Sequence, residues 1–164
     1  NALGTALRTM AQIVTSQLGT TIGYVTTGGF DSHANQNGTQ PALLQAVSDS
    51  VAAFYADLAA HGMDRDVVTV MWTEFGRRVR ENASGGTDHG RAGLMMVLGP
   101  QARGGRMLGR WPGLSNEALE EGADLAVTTD YRAVLAEVLT GHMRTPDLGR
   151  VFPGLAPEPV GLWG

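Results

Sequence analysis

Apolar residues recur at three- and four-residue steps through Leu3, Leu7, Met10, Val14 and Leu18. That spacing lines one face of a helix, so a helix is expected over residues 2–18, ended by Gly19. Residues 21–27 form a short β-prone run closed by Gly28-Gly29, which reads as a strand. Pro41 suits the first turn of a second helix capped by Thr39 or Gln40. Leu44, Val47, Val51, Phe54 and Leu58 supply its inner stripe as far as His61-Gly62. The runs at 67–72 and 94–98 are almost unbroken apolar stretches, the pattern of strands buried on both faces. Residues 100–124 are Gly-rich and irregular, and Thr129 or Asp130 caps a last helix carrying Val134, Leu135, Val138 and Leu139. Helices alternating with buried strands predict an α/β fold, a largely parallel sheet with helices on both faces. The pattern shows no internal repeat and no domain boundary.

Composition narrows the function classes. The chain has 164 residues, 43% hydrophobic and only 17% charged, which excludes disorder and coiled coil. Its net charge is −4, and no basic cluster exceeds Arg77-Arg78, so a nucleic-acid groove is not expected. No apolar run approaches the roughly 20 residues that span a bilayer. There is no cysteine, which removes thiolate metal sites and cysteine nucleophiles. There are 23 glycines, about twice the usual share, and they gather in loops. The first residue is Asn1 rather than methionine, so a fragment or processed product is expected.

The polar candidates sit in those loops, where strand ends place sites in α/β sheets. Asp31-Ser32-His33 follows two glycines, and a two-residue step returns Asp31 and His33 to the same side of an extended backbone. The plain alternative is a turn with an exposed histidine. Glu74 follows the run at 67–72, with an ion pair to Arg77 or Arg78 as its alternative role. Asp88-His89 lies between glycines, with a surface turn as its alternative. Carboxylates and imidazoles without thiolates suit a divalent metal, Zn²⁺, Mn²⁺ or Mg²⁺. His61 and His142 fit helix ends, where a cation favours the dipole.

The succession GGFDSHANQ (28–36), TEFGRRVREN (73–82), GGTDHG (85–90), LGPQARGG (98–105) and TTDYRAVLAEVL (128–139) resembles the C-terminal part of a bacterial family, the domain of unknown function 1501. That family resembles the alkaline phosphatase and sulfatase superfamily, whose members use metals on phosphate and sulfate esters. The resemblance implies an alkaline-phosphatase-like α/β domain, with residues 1–164 as its C-terminal part. By the same resemblance Asp31 and His33 are similar to a ligand pair after a strand, and Glu74 stands where an aspartate ligand precedes a histidine, although Phe75 cannot coordinate. His89 resembles a later histidine ligand. In another register Thr87-Asp88-His89-Gly90 itself aligns with the superfamily's Asp-His-Gly pair. The nucleophile of such enzymes comes from an N-terminal part, so about half of a site is expected here, and association with that half or with a second copy follows. Relatives of the family look like exported proteins.

The expected function is therefore a metal-dependent hydrolase-type domain for small anionic phosphate or sulfate esters. Asp31, His33, Asp88, His89 and Glu74 are the candidate ligands and Arg77 the anion-binding group. No catalytic nucleophile is assigned. The alternative is a non-catalytic binding or cell-surface module that keeps the fold with a degraded site. A nucleotide-binding domain is disfavoured, because no G-x-G-x-x-G stands between a strand and a helix.

Overall fold

A computed structural model describes every residue except Pro146 and Gly164. The chain divides into two compact units, Asn1–Val67 with Glu81–Asp88, and Val68–Arg80 with His89–Gly164.

The first unit is helical. Helix α1 (Ala2–Thr15) starts at Asn1, whose side-chain oxygen accepts from Gly4 N at 2.7 Å, satisfying one of the N–H groups a helix start leaves unpaired. Helix α2 runs over Gln36–Ala60. The two pack through Ala11, Phe54 and Leu58, with Leu7, Met10, Val14, Tyr55, Met63 and Val67 around them. The periodic stripes therefore form the core in part, through Leu7, Met10, Val14, Phe54 and Leu58, while Leu44 of the second stripe is exposed. Leu18, the last member of the first stripe, lies beyond α1 and is exposed.

Helix α2 begins five residues before Pro41, not at it. The reason is tertiary. The N–H groups of Asn35 and Gln36 donate to the carbonyls of Ser84 (3.1 Å) and Gly85 (2.8 Å), so a distant loop satisfies the helix start and no local side-chain cap is made. Residues 21–27 form no strand; Ile22 and Tyr24 are exposed along them.

Among the described residues the second unit holds all the strands: β1 (Thr69–Trp72), β2 (Gly76–Arg77), β3 (His89–Gly90) and β4 (Met95–Leu98). β1 pairs antiparallel with β4, Thr69 opposite Leu98 and Trp72 opposite Met95. Inside that pair, β2 runs antiparallel to β3, Gly76 opposite Gly90 and Arg77 opposite His89. Three residues, 73–75, separate the ladders on the outgoing side and four, 91–94, on the return, so the register shifts by one residue as at a bulge.

This overturns the expected α/β architecture. The described residues form two small antiparallel sheets of two strands each, not a largely parallel sheet with helices on both faces, and the alkaline-phosphatase-like fold expectation goes with it. The physical reason is the connection. Parallel pairing needs a crossover, usually a helix, and the chain between the apolar runs contains only β2, β3 and loops. Nor are these strands buried on both faces: Trp72 is 51% and Met96 44% exposed.

One face of β1 and β4 is covered. Val68, Val70, Met95 and Val97 pack against Val134 and Val138 of helix α3 (Tyr131–Gly141) and against Leu162. Asp130 caps α3, accepting from Arg132 N at 2.9 Å. A short helix, α4 (Leu148–Val151), follows. The C-terminal segment is held by Glu137, whose carboxylate accepts from the backbone N–H groups of Val160, Gly161 (2.9 Å) and Leu162 (2.8 Å). No helix among the described residues is long and apolar enough to cross a membrane.

Candidate metal centre

The loop over Glu81–Asp88 is stitched to the segment at 32–36 by hydrogen bonds of both backbone and side chains. Thr87 N donates to Ser32 O at 3.2 Å, and the Thr87 hydroxyl donates to Gln36 Oε1 at 2.7 Å. Gly86 is buried in this seam, and a Cβ there would run into the backbone of His33 and Ala34. Only glycine allows that approach.

Asn82 is the hub. Its Nδ2 donates to His33 O at 3.0 Å and to Asp88 Oδ1 at 3.1 Å. Its Oδ1 accepts from Ser84 N at 2.9 Å and Gly86 N at 3.2 Å. The amide orientation follows from chemistry, because two partners can only donate and the other two only accept. The sequence held a signal for this residue, since an asparagine opening a Gly-rich loop commonly bonds the backbone two residues on.

His33 lies between two carboxylates. Its Nδ1 is 3.1 Å from Asp88 Oδ1, and its Nε2 is 3.1 Å from Asp31 Oδ1. All three side chains are about half exposed, whereas Ser32 between Asp31 and His33 is buried with its hydroxyl unpartnered. Two arrangements satisfy His33: an imidazolium donating to both carboxylates, or Nδ1–H donated to Asp88 with a cation shared by Nε2 and Asp31. The second is the carboxylate–histidine–metal pattern. Ligand legs near 2.1 Å at a tetrahedral angle leave donor atoms about 3.4 Å apart, close to the Nε2–Asp31 separation.

Asp31, His33 and Asp88 lie in the first unit, and Glu74, Arg77 and His89 in the second; Asp88 stands behind His33 at Nδ1. The His89 ring stacks on Phe75, centroids 3.9 Å apart and planes 14° apart. Arg77 lays its guanidinium 4.8 Å from the Phe75 ring centre and is half-buried. His61 and His142 are the C-cap residues of α2 and α3, as the sequence suggested.

A family model described as a protein of unknown function (DUF1501) matches residues 5–155. The chain belongs to the DUF1501 family. No curated protein and no solved structure matches it. Within this DUF1501 chain, Asn82 and the Phe75 stack are not among the residues expected from the sequence, and a phenyl ring, which cannot ligate, carries no such signal.

Proposed function

We propose that this DUF1501 chain is a metal-dependent hydrolase-type domain acting on phosphate or sulfate esters, with Asp31 and His33 as ligands of one divalent cation. The observation that carries the reading is His33, its Nδ1 on Asp88 and its Nε2 facing Asp31, each at 3.1 Å. A carboxylate behind a histidine fixes the tautomer and makes the opposite nitrogen the better donor. An oxygen and imidazole donor set without thiolate suits Zn²⁺ or Mn²⁺, with Mg²⁺ favoured less as imidazoles replace oxygens. When bound, such an ion supplies Lewis-acid stabilisation of a developing oxyanion and a template for the reacting groups.

The chain's own residues would divide the remaining work. Asp88 and Asn82 hold His33 in one orientation. Arg77 offers a planar fork suited to a tetrahedral anion. The hydroxyls flanking the ligands are poorly placed to attack an ester, since Ser32 is buried and Thr87 donates to Gln36. This favours the binding-module reading as the second choice, and the superfamily motif likeness, not the fold, is what supports the ester class.

The test is titration of the full chain with Zn²⁺, Mn²⁺ and Mg²⁺ by calorimetry, beside turnover of aryl phosphate and aryl sulfate. Stoichiometric binding that His33→Ala abolishes and His142→Ala leaves intact supports the metal centre. Metal-dependent turnover then supports the hydrolase, and binding without turnover supports the binding module. No binding of any of the three ions overturns the metal centre and with it the hydrolase, and leaves the binding module.

A further inference from the structure

From His89 to Asn116 the sequence carries Arg91, Arg103, Arg106 and Arg110 and no acidic residue, in a chain whose net charge is −4. Arg91 is taken by Glu120 at 2.8 Å. Arg103, Arg106 and Arg110 are exposed, and no ion pair joins them to another described residue. Asp130, next to the Thr129 hydroxyl that faces Gly109, is held by Arg132. Large apolar side chains stand in solvent among these arginines: Met107 is 84%, Trp111 69% and Leu114 53% exposed.

The segment is anchored at its base. Ala102 bridges to Trp163, and Arg103 N donates to Leu162 O at 2.8 Å. Leu108 packs against the cluster that contains Leu162. Residues 103–107 therefore leave from and return to Leu162, whose own N–H is held by Glu137. Gly105 makes the reversal at φ 70°, where a side chain would be strained. Arg106 and Met107 lie on the projecting part, and Arg110 and Trp111 follow directly after the anchor. Four residues separate Met107 from Trp111, at most about 14 Å of chain.

Apolar groups left in water favour a partner that removes them from it, and the arginines among them select an anionic one. A guanidinium fork matches phosphate oxygens, and an indole settles at the headgroup level of a bilayer. A single-stranded nucleic acid would use the arginines and stack on the indole, but it offers nothing apolar to cover Met107 and Leu114. We infer that the segment at 102–114 is a docking surface for an anionic phospholipid bilayer, with the arginines on headgroup phosphates and Met107 and Trp111 entering the interface. Such binding is peripheral and needs no membrane-crossing helix. None of the proposed metal ligands lies in this segment, so the inference stands apart from the metal reading.

The test mixes the full chain with vesicles of phosphatidylcholine containing phosphatidylglycerol, with vesicles of pure phosphatidylcholine, and with a single-stranded oligonucleotide. Cosedimentation reads affinity. Tryptophan emission reads entry into the interface, and Trp111→Phe separates the signal of Trp111 from those of Trp72 and Trp163. Binding should be confined to the anionic vesicles, weaken with salt, and bring a blue shift that Trp111→Phe removes. An arginine near an anionic surface contributes about fivefold, so Arg106→Gln with Arg110→Gln should weaken binding about 25-fold. Met107→Ser with Trp111→Ser should weaken it on the order of 10-fold. Arg65→Gln, at an exposed arginine of the first unit, should bind as the wild type does. All these positions are exposed, and unchanged thermal unfolding confirms that each variant folds. Absence of binding to the anionic vesicles overturns the inference. Binding to the oligonucleotide without binding to vesicles also overturns it and assigns the surface to nucleic acid. Vesicle binding that the arginine pair or the apolar pair leaves unchanged, or that Arg65→Gln weakens equally, overturns the assignment to this segment.

Discussion

Asn82→Asp replaces only the amide nitrogen of the hub that ties the 82–88 loop to His33, and its consequence can be worked from the structure. The introduced carboxylate would still accept from Ser84 N and Gly86 N, so the turn over 82–86 keeps those bonds. It could no longer donate to His33 O or Asp88 Oδ1. The bond to a neutral carbonyl is worth about 1 kcal/mol and the one to a carboxylate about 1.5–3 kcal/mol. The second would also become a contact between like charges. Two unit charges 4 Å apart interact by about 1 kcal/mol in water and about 4 kcal/mol at an effective dielectric of 20. Asp88 is 51% exposed at its side chain, so the repulsion belongs near the lower figure. Because these contributions overlap, the loop should open more easily by about 2–4 kcal/mol.

That opening is local. It should appear in amide exchange of Gly85, Gly86 and Thr87, whose N–H groups bond within the seam, as protection lost by roughly 30- to 700-fold. Amides of α3 should keep theirs. The sign with pH follows from the new pair: two adjacent carboxyls raise the value at which one of them ionises. The defect should thus be full at neutral pH and shrink as acid protonates one partner. Asn82→Ala lacks the repulsion and should show no such recovery. Unchanged protection in Asn82→Asp at pH 7 would refute the claim that Asn82 holds this loop.

Two further perturbations probe the second unit. Glu137→Ala leaves three backbone N–H groups near the core residue Leu162 without their acceptor and should cost about 3 kcal/mol in denaturant unfolding, with Glu137→Gln between it and wild type because the amide still accepts. Asp130 is held below the ordinary carboxyl range first by the Arg132 side chain and then by the Arg132 backbone N–H, so its extra contribution is present above about pH 4 and lost as pH falls through the depressed value. Asp130→Asn should keep the cap but remove that acid dependence, whereas Asp130→Ala should cost about 1 kcal/mol at pH 7, both read from thermal unfolding across pH.

The elements legible in the sequence are those whose information is local. α1 and α3 carry periodic stripes and caps, and Asp130 performs the expected capping bond. Where the structure departs, a distant partner decides. α2 starts at Gln36 because Ser84 and Gly85 carbonyls meet its first N–H groups, and nothing near Pro41 announces that. The apolar runs at 67–72 and 94–98 do become strands in part. Their direction departs from expectation because apolar continuity reads as burial on both faces. Continuity cannot tell a central parallel strand from a hairpin arm with one covered face, and connection length with helix content is the better discriminator.

The pairing of Asp31 with His33 is more legible than the sheet, and the same physics explains why. Asp31 and His33 lie two residues apart on extended chain, so their convergence needs little from the fold, and the alternation that turns them outward buries Ser32. Asp88 and His89 are adjacent, so their side chains leave the backbone in different directions. Asp88 turns to the Nδ1 of His33 while His89 stacks on Phe75. The two neighbours in sequence thus have different partners, a histidine ring nitrogen for Asp88 and a phenyl face for His89. Asp88→Asn should then weaken Zn²⁺ binding by about 10- to 100-fold, as loss of an orienting partner does. His33→Ala should weaken it further, because a ligand itself is lost. If titration ranks the two in the opposite order, the division of roles drawn from Asp88 and His33 is wrong.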